Sequence, residues 1–201
     1  MERNDMTQTI TGLFDHYQDA QSAVDALEKA GIPSGDISIV ANNREGHHVV
    51  ADGLSLAARD AGAGAEVGAA VGGVGGLLAG LGMLVIPGLG PVVAAGWLGA
   101  TLIGALGGAA VGGAAGGLVG ALTDAGVPAH DADVYAEGVR RGGSLVTAKV
   151  DDALVPTARG ILNNSGHVDL TDRRASYQSE GWTRFDSTAP AYKDQPVSTQ
   201  A

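Results

Sequence analysis

The chain has 201 residues, a formal net charge of -10, 33 glycines, no cysteine and only 4% aromatic residues. The acidic balance excludes adhesion to nucleic acid, because phosphate contacts need clustered Lys and Arg, and the lack of cysteine excludes disulfides and thiolate chemistry. The polar start, Met1 to Thr9, carries no secretory signal, so any membrane segment must be internal.

Thr9, Thr11 and Leu13 alternate with Ile10, Gly12 and Phe14, a period of two that predicts a strand over Thr7–Phe14. Asp15, with Gln18 three residues on, has capping-box spacing. It opens a helix whose stripe is Ala20, Ala23, Val24, Leu27 and Ala30. Gly31 ends that helix, Ile32-Pro33 forbids its continuation, and Ile37, Ile39 and Val40 mark a second strand over 36–41. Residues 1–43 thus read as a βαβ half-domain, followed by a linker at 44–53.

From Val67 to Thr123 there is no charged side chain. Glycines recur every fourth residue at Gly64, Gly68, Gly72, Gly76 and Gly80. The pattern resumes beyond a Pro87–Pro91 break at Gly96, Gly104, Gly108, Gly112, Gly116 and Gly120, with Ala100 in the gap. A spacing of four lines these residues along one helix face, where missing side chains let a second backbone approach. Residues 54–124 are therefore predicted to be a long antiparallel glycine-zipper α-hairpin turning at 87–91, with these residues as its packing surface. Each glycine inside a helix costs about 1 kcal/mol relative to alanine, so close packing or a bilayer must offset the loss. Adjacent pairs such as Gly72-Gly73 and Gly116-Gly117 add a second smooth side and predict homo-oligomers. Val67–Ile86 spans about 30 Å as a helix and Val92–Leu122 about 46 Å, long enough for transmembrane helices. Arg44, Arg59, Arg140 and Arg141 on the termini side favour cytoplasmic ends, and hence an inner-membrane location with lipid contact; a cytoplasmic location is the alternative.

Ala125-Gly126-Val127-Pro128 repeats the stop signal of Ala30–Pro33. A helix over 130–141, a strand over 144–150, a helix carrying Leu154, Val155, Ala158, Ile161 and Leu162, and a last strand at His167–Leu170 follow, making 125–170 an αβαβ second half. Two such halves predict an α+β fold, a ferredoxin-like split βαβ sheet with helices on one face, interrupted by the hairpin. Residues 171–201 turn polar and read as a disordered tail, in which Trp182 and Phe185 are candidates for docking onto a partner or onto the protein's own sheet.

The motifs Gly126-Val127-Pro128, Tyr135 to Gly143, Ile86 to Pro91, Glu180-Gly181-Trp182 and Phe185-Asp186 resemble the bacterial general-stress or low-temperature-induced proteins. The resemblance implies bacterial origin and a stress response. It implies no reaction.

No catalytic, cofactor or metal site is predicted. His47-His48 lacks a third ligand at metal spacing, and His16, His130 and His167 stand apart. Asp131, Asp133 and Glu137 suit the start of a helix better than acid-base chemistry, and Arg140 and Arg141 suit its end. Glu66 lies at the mouth of the zipper, where a ring of copies would line a pore, but reads as a solvated helix base. The chain is therefore expected to be a non-enzymatic stress protein that associates with membrane lipid and assembles with itself. It has no expected cofactor, nucleic-acid partner or small-molecule substrate. A soluble oligomer built on the hairpins, or a ligand-binding ferredoxin-like sensor, are the rival readings.

Overall fold

A computed structural model describes residues 7–43, 82–86, 88–107, 117–189 and 192. Five strands form one antiparallel sheet: β1 (Thr7–Phe14), β2 (Ile37–Asn42), β3 (Gly82–Ile86), β4 (Gly90–Ala95) and β5 (Ser144–Asp151), in the order β1-β5-β2-β4-β3. Six helices accompany them among the described residues: α1 (Tyr17–Lys29), α2 (Gly96–Gly107), α3 (Gly117–Asp124), α4 (Ala129–Arg140), α5 (Val155–Asn164) and α6 (Leu170–Ser179). The α+β class therefore stands.

β1, α1 and β2 follow one another along the chain, and β5 lies between the two strands. Thr11 faces Thr147, and Thr147 faces Ser38 on the other side. The two Ala-Gly-apolar-Pro stops work alike. Ile32 N-H donates to the Leu27 carbonyl and Val127 N-H to that of Leu122, while Gly31 and Gly126 take φ of +93° and +91°. Such a turn closes a helix at a residue with positive φ, which glycine adopts without penalty, and then buries the next apolar residue.

Helices cover both faces of the sheet, not one. Ile37, Ile39 and Ala41 join Ile10, Phe14, Val146, Val93 and α1 and α5 residues in one core. Val40, Leu145, Val92 and Ala94 join Leu98, Leu102, Leu118, Leu122, Ala136 and Val139 of α2, α3 and α4 in another. The cause lies in β2, which is buried along its whole length: its apolar residues pack on both sides, and its polar Ser38 and Asn42 are taken up by hydrogen bonds to α2 and α4.

The predicted helical hairpin is corrected at its tip. Residues on both sides of the Pro-Gly break form the β3-β4 hairpin, in which Met83 pairs with Val93 and Leu84 with Val92. The Ile86 carbonyl accepts from Leu89 N-H and Gly88 has φ +78°, the geometry of a turn with glycine third. Val85, Ile86, Val92 and Val93 are β-branched and flank that turn, a strand signal that outweighs the four-residue glycine spacing here. The continuous second arm over 92–122 is likewise replaced by the end of β4, by α2 and by α3. The linker, the first arm from 54 to 81, and residues 108–116 lie outside the described residues. Among the described residues no helix is long and apolar enough to cross a membrane.

Two further corrections concern the C-terminal part. No strand forms at His167–Leu170; Val168 N-H makes a single 2.7 Å bond to the Leu13 carbonyl on the edge of β1, and Asp169 then caps α6. Within the segment predicted to be disordered, α6 is helical over Leu170–Ser179 and is held by charged and aromatic contacts to the domain; residues 190, 191 and 193–201 lie outside the described residues. Asp15 does not cap α1 either: His16 occupies that position, and the Asp15 carboxylate pairs with Arg173 of α6.

Candidate functional site

Among the described residues, the densest polar cluster sits where α4 ends against β1. Two glycines set its position. A Cβ on Gly138 would lie 2.5 Å from Leu13 Cδ2, and one on Gly143 would lie 3.0 Å from the Gly138 and Phe14 carbonyl oxygens. A Cβ at either position would force these neighbours to shift, so the two glycines favour this close approach of the helix end.

Glu137 is fully buried. Arg140 is three residues on and Arg141 four, so both reach back over the same helix face. Arg140 Nε and Nη2 donate to Glu137 Oε2 and Oε1 at 2.8 and 3.0 Å, and Arg141 Nε donates to Oε1 at 2.7 Å. One carboxylate thus faces two guanidiniums. Glu180 supplies the second negative charge, accepting from Arg141 Nη1. Burial alone would lower the Arg141 pKa; the hydrogen bonds to Glu137 and Glu180 outweigh it and hold the guanidinium above its usual range. The Arg141 guanidinium also lies over the Tyr177 ring at 4.1 Å and the Tyr192 ring at 4.8 Å.

Glu180 and Tyr177 belong to α6 and its end, so the cluster is a joint between the domain and its C-terminal segment. Asp169 Oδ1 accepts from Thr171 and Asp172 N-H, which hold its carboxyl below the usual range and cap the helix. Arg173 then pairs with Asp15 and Arg174 with Asp131. Beyond the helix, Trp182 stacks edge-on against Tyr177, with ring centres 5.7 Å apart. Phe185 packs on the second core. The segment reaches the β3-β4 turn, where a Cβ on Gly88 would lie 2.6 Å from the Ser187 Cα.

Of the two aromatic residues singled out for docking, Phe185 packs on the second core and Trp182 on Tyr177 of α6. The acidic trio is divided: Asp131 pairs with Arg174, Glu137 with two arginines, and Asp133 joins neither pair. His16 and His130 are exposed, and the imidazole of His130 is 3.4 Å from Asp131. Among the described residues no three His, Asp or Glu side chains gather as metal ligands. Of the zipper positions, Gly96 opens α2 and rests against β2, where a Cβ would meet the Ile37 carbonyl at 2.0 Å. Ala100 is exposed, Gly104 lies within α2, and a Cβ on Gly120 would meet nothing within 4 Å. Gly64, Gly68, Gly72, Gly76, Gly80, Gly108, Gly112 and Gly116, with His47, His48 and Glu66, lie outside the described residues.

Sequence reading placed Arg140 and Arg141 at a helix end and missed their use as a joint. The Glu-Arg-Arg spacing was visible, but nothing local pairs it with Glu180, which is 39 residues further along.

Comparison with known proteins bears on the other end of the chain. Residues 9–85 match the model of the heat induced stress protein YflT domain. The YflT match takes in most of β1, α1 and β2, runs through residues 44–81 and ends within β3, so the likeness is confined to the N-terminal part of the chain. It stops short of Gly126–Gly143 and Glu180–Asp186, and its description is of heat induction, not induction at low temperature. No curated protein and no solved structure matches the chain.

Proposed function

We propose that the protein is a non-enzymatic stress-response protein that works by associating with copies of itself. Two observations support this reading: adjacent glycine pairs such as Gly72-Gly73 and Gly116-Gly117 favour self-association, and among the described residues the cluster of Glu137, Arg140, Arg141 and Glu180 is spent on the chain's own tail. Both Glu137 oxygens accept guanidinium bonds and Arg141 is shared with Glu180, so the groups a reaction would need are engaged in holding α6 in place. The YflT match supplies the stress context. Light scattering on the full chain over a concentration series, in buffer and in mild detergent, tests the reading; the expected result is a mass above that of one chain. A monomer at every concentration would overturn it.

Membrane association, with both termini in the cytoplasm, is the second form of this reading. It is supported by the absence of charge over the run Val67–Thr123, of which residues 67–81, 87 and 108–116 lie outside the described residues. Flotation with lipid vesicles separates it from a cytoplasmic assembly.

A further inference from the structure

We infer that two copies of the chain join edge to edge through β3, in antiparallel register centred on Leu84. This inference rests on the self-association reading above and names its interface.

The sheet has two unlike edges. β1 carries Thr7, Gln8, Thr9 and Thr11; Val168 N-H bonds to its Leu13 carbonyl and Gln8 Nε2 to Asp152. β3 is Gly-Met-Leu-Val-Ile, with no charge, no proline and no bulge. Among the described residues nothing pairs with its outer side. The only large exposed hydrophobic side chains among the described residues are Met83 at 58% and Val85 at 71%, two residues apart on this strand. Natural sheets blunt such an edge with lysine, proline or a bulge, and a bare one is a template for another strand.

Hydrogen-bond direction selects the register. Asn43 N-H donates to the Pro91 carbonyl at 2.9 Å, so the polar groups of Pro91 turn toward β2. Backbone groups alternate sides along a strand, so Gly90, Val92 and Ala94 bond to their β3 partners Ile86, Leu84 and Gly82. The N-H and C=O of Met83 and Val85 are then the ones on the open edge. A two-fold axis at Leu84 sets Met83 opposite the second copy's Val85 and engages every one of these groups.

The occupant is a second copy because β3 is its own complement. A chain of net charge -10 repels itself over most of its surface, and the neutral edge is where that repulsion is least local. A two-fold pairing uses the β3 edge of each copy once, so it closes at two. Strands this short bury less than the roughly 1,200–2,000 Å² of a permanent interface, so the dimer depends on concentration.

Full-length protein with Val85→Lys or Met83→Lys, checked for unchanged circular dichroism, is compared with wild type by light scattering. Each lysine is expected to weaken association at least tenfold. The chain has no cysteine of its own, so Leu84→Cys under mild oxidation is expected to give a covalent dimer through facing positions, and Met83→Cys much less. A wild type that associates but ignores both lysines and leaves Leu84→Cys uncrosslinked overturns this interface and leaves self-association standing. A monomeric wild type overturns both.

Discussion

Arg141 holds its guanidinium 4.1 Å above the ring of Tyr177 while its Nε bonds to Glu137, so one side chain joins a buried carboxylate to the C-terminal helix. Replacing it removes both attachments. For Arg141→Ala we expect a loss of about 2–4 kcal/mol, because Glu137 keeps Arg140 but loses part of its compensation inside the protein. Glu180→Gln should cost no more than about 1 kcal/mol, since Glu180 is half exposed. Chemical denaturation measures both. Limited proteolysis should cut near Ser179 faster in Arg141→Ala than in Glu180→Gln, and equal rates would remove Arg141 from its role as the joint.

Tyr135 ties α4 to β1 by donating to the Thr11 carbonyl at 3.3 Å. Burial, with the nearby Asp131 adding and Arg174 opposing, pushes its phenol up to about 12. The unfolded phenol ionises near 10, so between pH 10 and about 12 the folded state keeps a proton that the unfolded state has lost. Stability therefore falls as pH rises through that window, by on the order of 2–3 kcal/mol from this residue, and is unaffected by it below pH 9. Tyr135→Phe should flatten the alkaline decline while costing about 1 kcal/mol at neutral pH through the lost bond. Denaturant melts at pH 8, 10 and 11.5 supply the comparison; an unchanged slope in the variant would show that Tyr135 is not the group responsible.

Gly120 and Gly138 separate two uses of glycine. Gly120 has open space where a Cβ would go, so Gly120→Ala should stabilise α3 by up to about 1 kcal/mol through helix propensity. A Cβ on Gly138 would strike the buried Leu13 side chain, so Gly138→Ala should cost about 1–3 kcal/mol despite the same propensity gain. Thermal melts decide both. A destabilised Gly120→Ala with altered assembly would mean that this position packs against a second helix surface, as the four-residue spacing suggests.

That spacing also explains which parts of the fold could be read in advance. The βαβ half was legible because Ala23, Val24 and Leu27 keep a helical period and Gly31 and Gly126 stand in the same stop motif. β3 and β4 were not, because the hairpin lies inside a run of small residues whose glycine period is equally regular, and only the β-branched pairs beside the turn argue for strands. The fourth ferredoxin-like strand failed for a different reason: Val168 makes one edge bond and the chain immediately caps α6 at Asp169. In the site, Glu137 and its arginines are local and visible, whereas Glu180, Tyr177 and Phe185 are brought in by tertiary contact.

Ser38 is the clearest contact of that distant kind. It sits fully buried on β2, and its Oγ accepts from Leu98 N-H at 2.8 Å, in the first turn of α2. A helix leaves its first amide groups unpaired, and a local Ser, Thr or Asp normally takes one. Here Gly96 and Trp97 precede Leu98, and the acceptor comes from sixty residues earlier in the chain. Gly96 makes this possible by resting on the Ile37 and Ser38 backbone, and Trp97 Nε1 donates to the Asp36 carbonyl beside it. Ser38→Ala leaves the Leu98 amide buried without an acceptor and should cost about 1–3 kcal/mol. Ser38→Thr keeps the hydroxyl but adds a methyl beside Gly96, so it should restore only part of the loss. Hydrogen exchange gives the specific readout: amides in the first turn of α2 should exchange faster in Ser38→Ala than those of α1, and equal acceleration in both helices would mean that Ser38 serves the sheet and not the helix start.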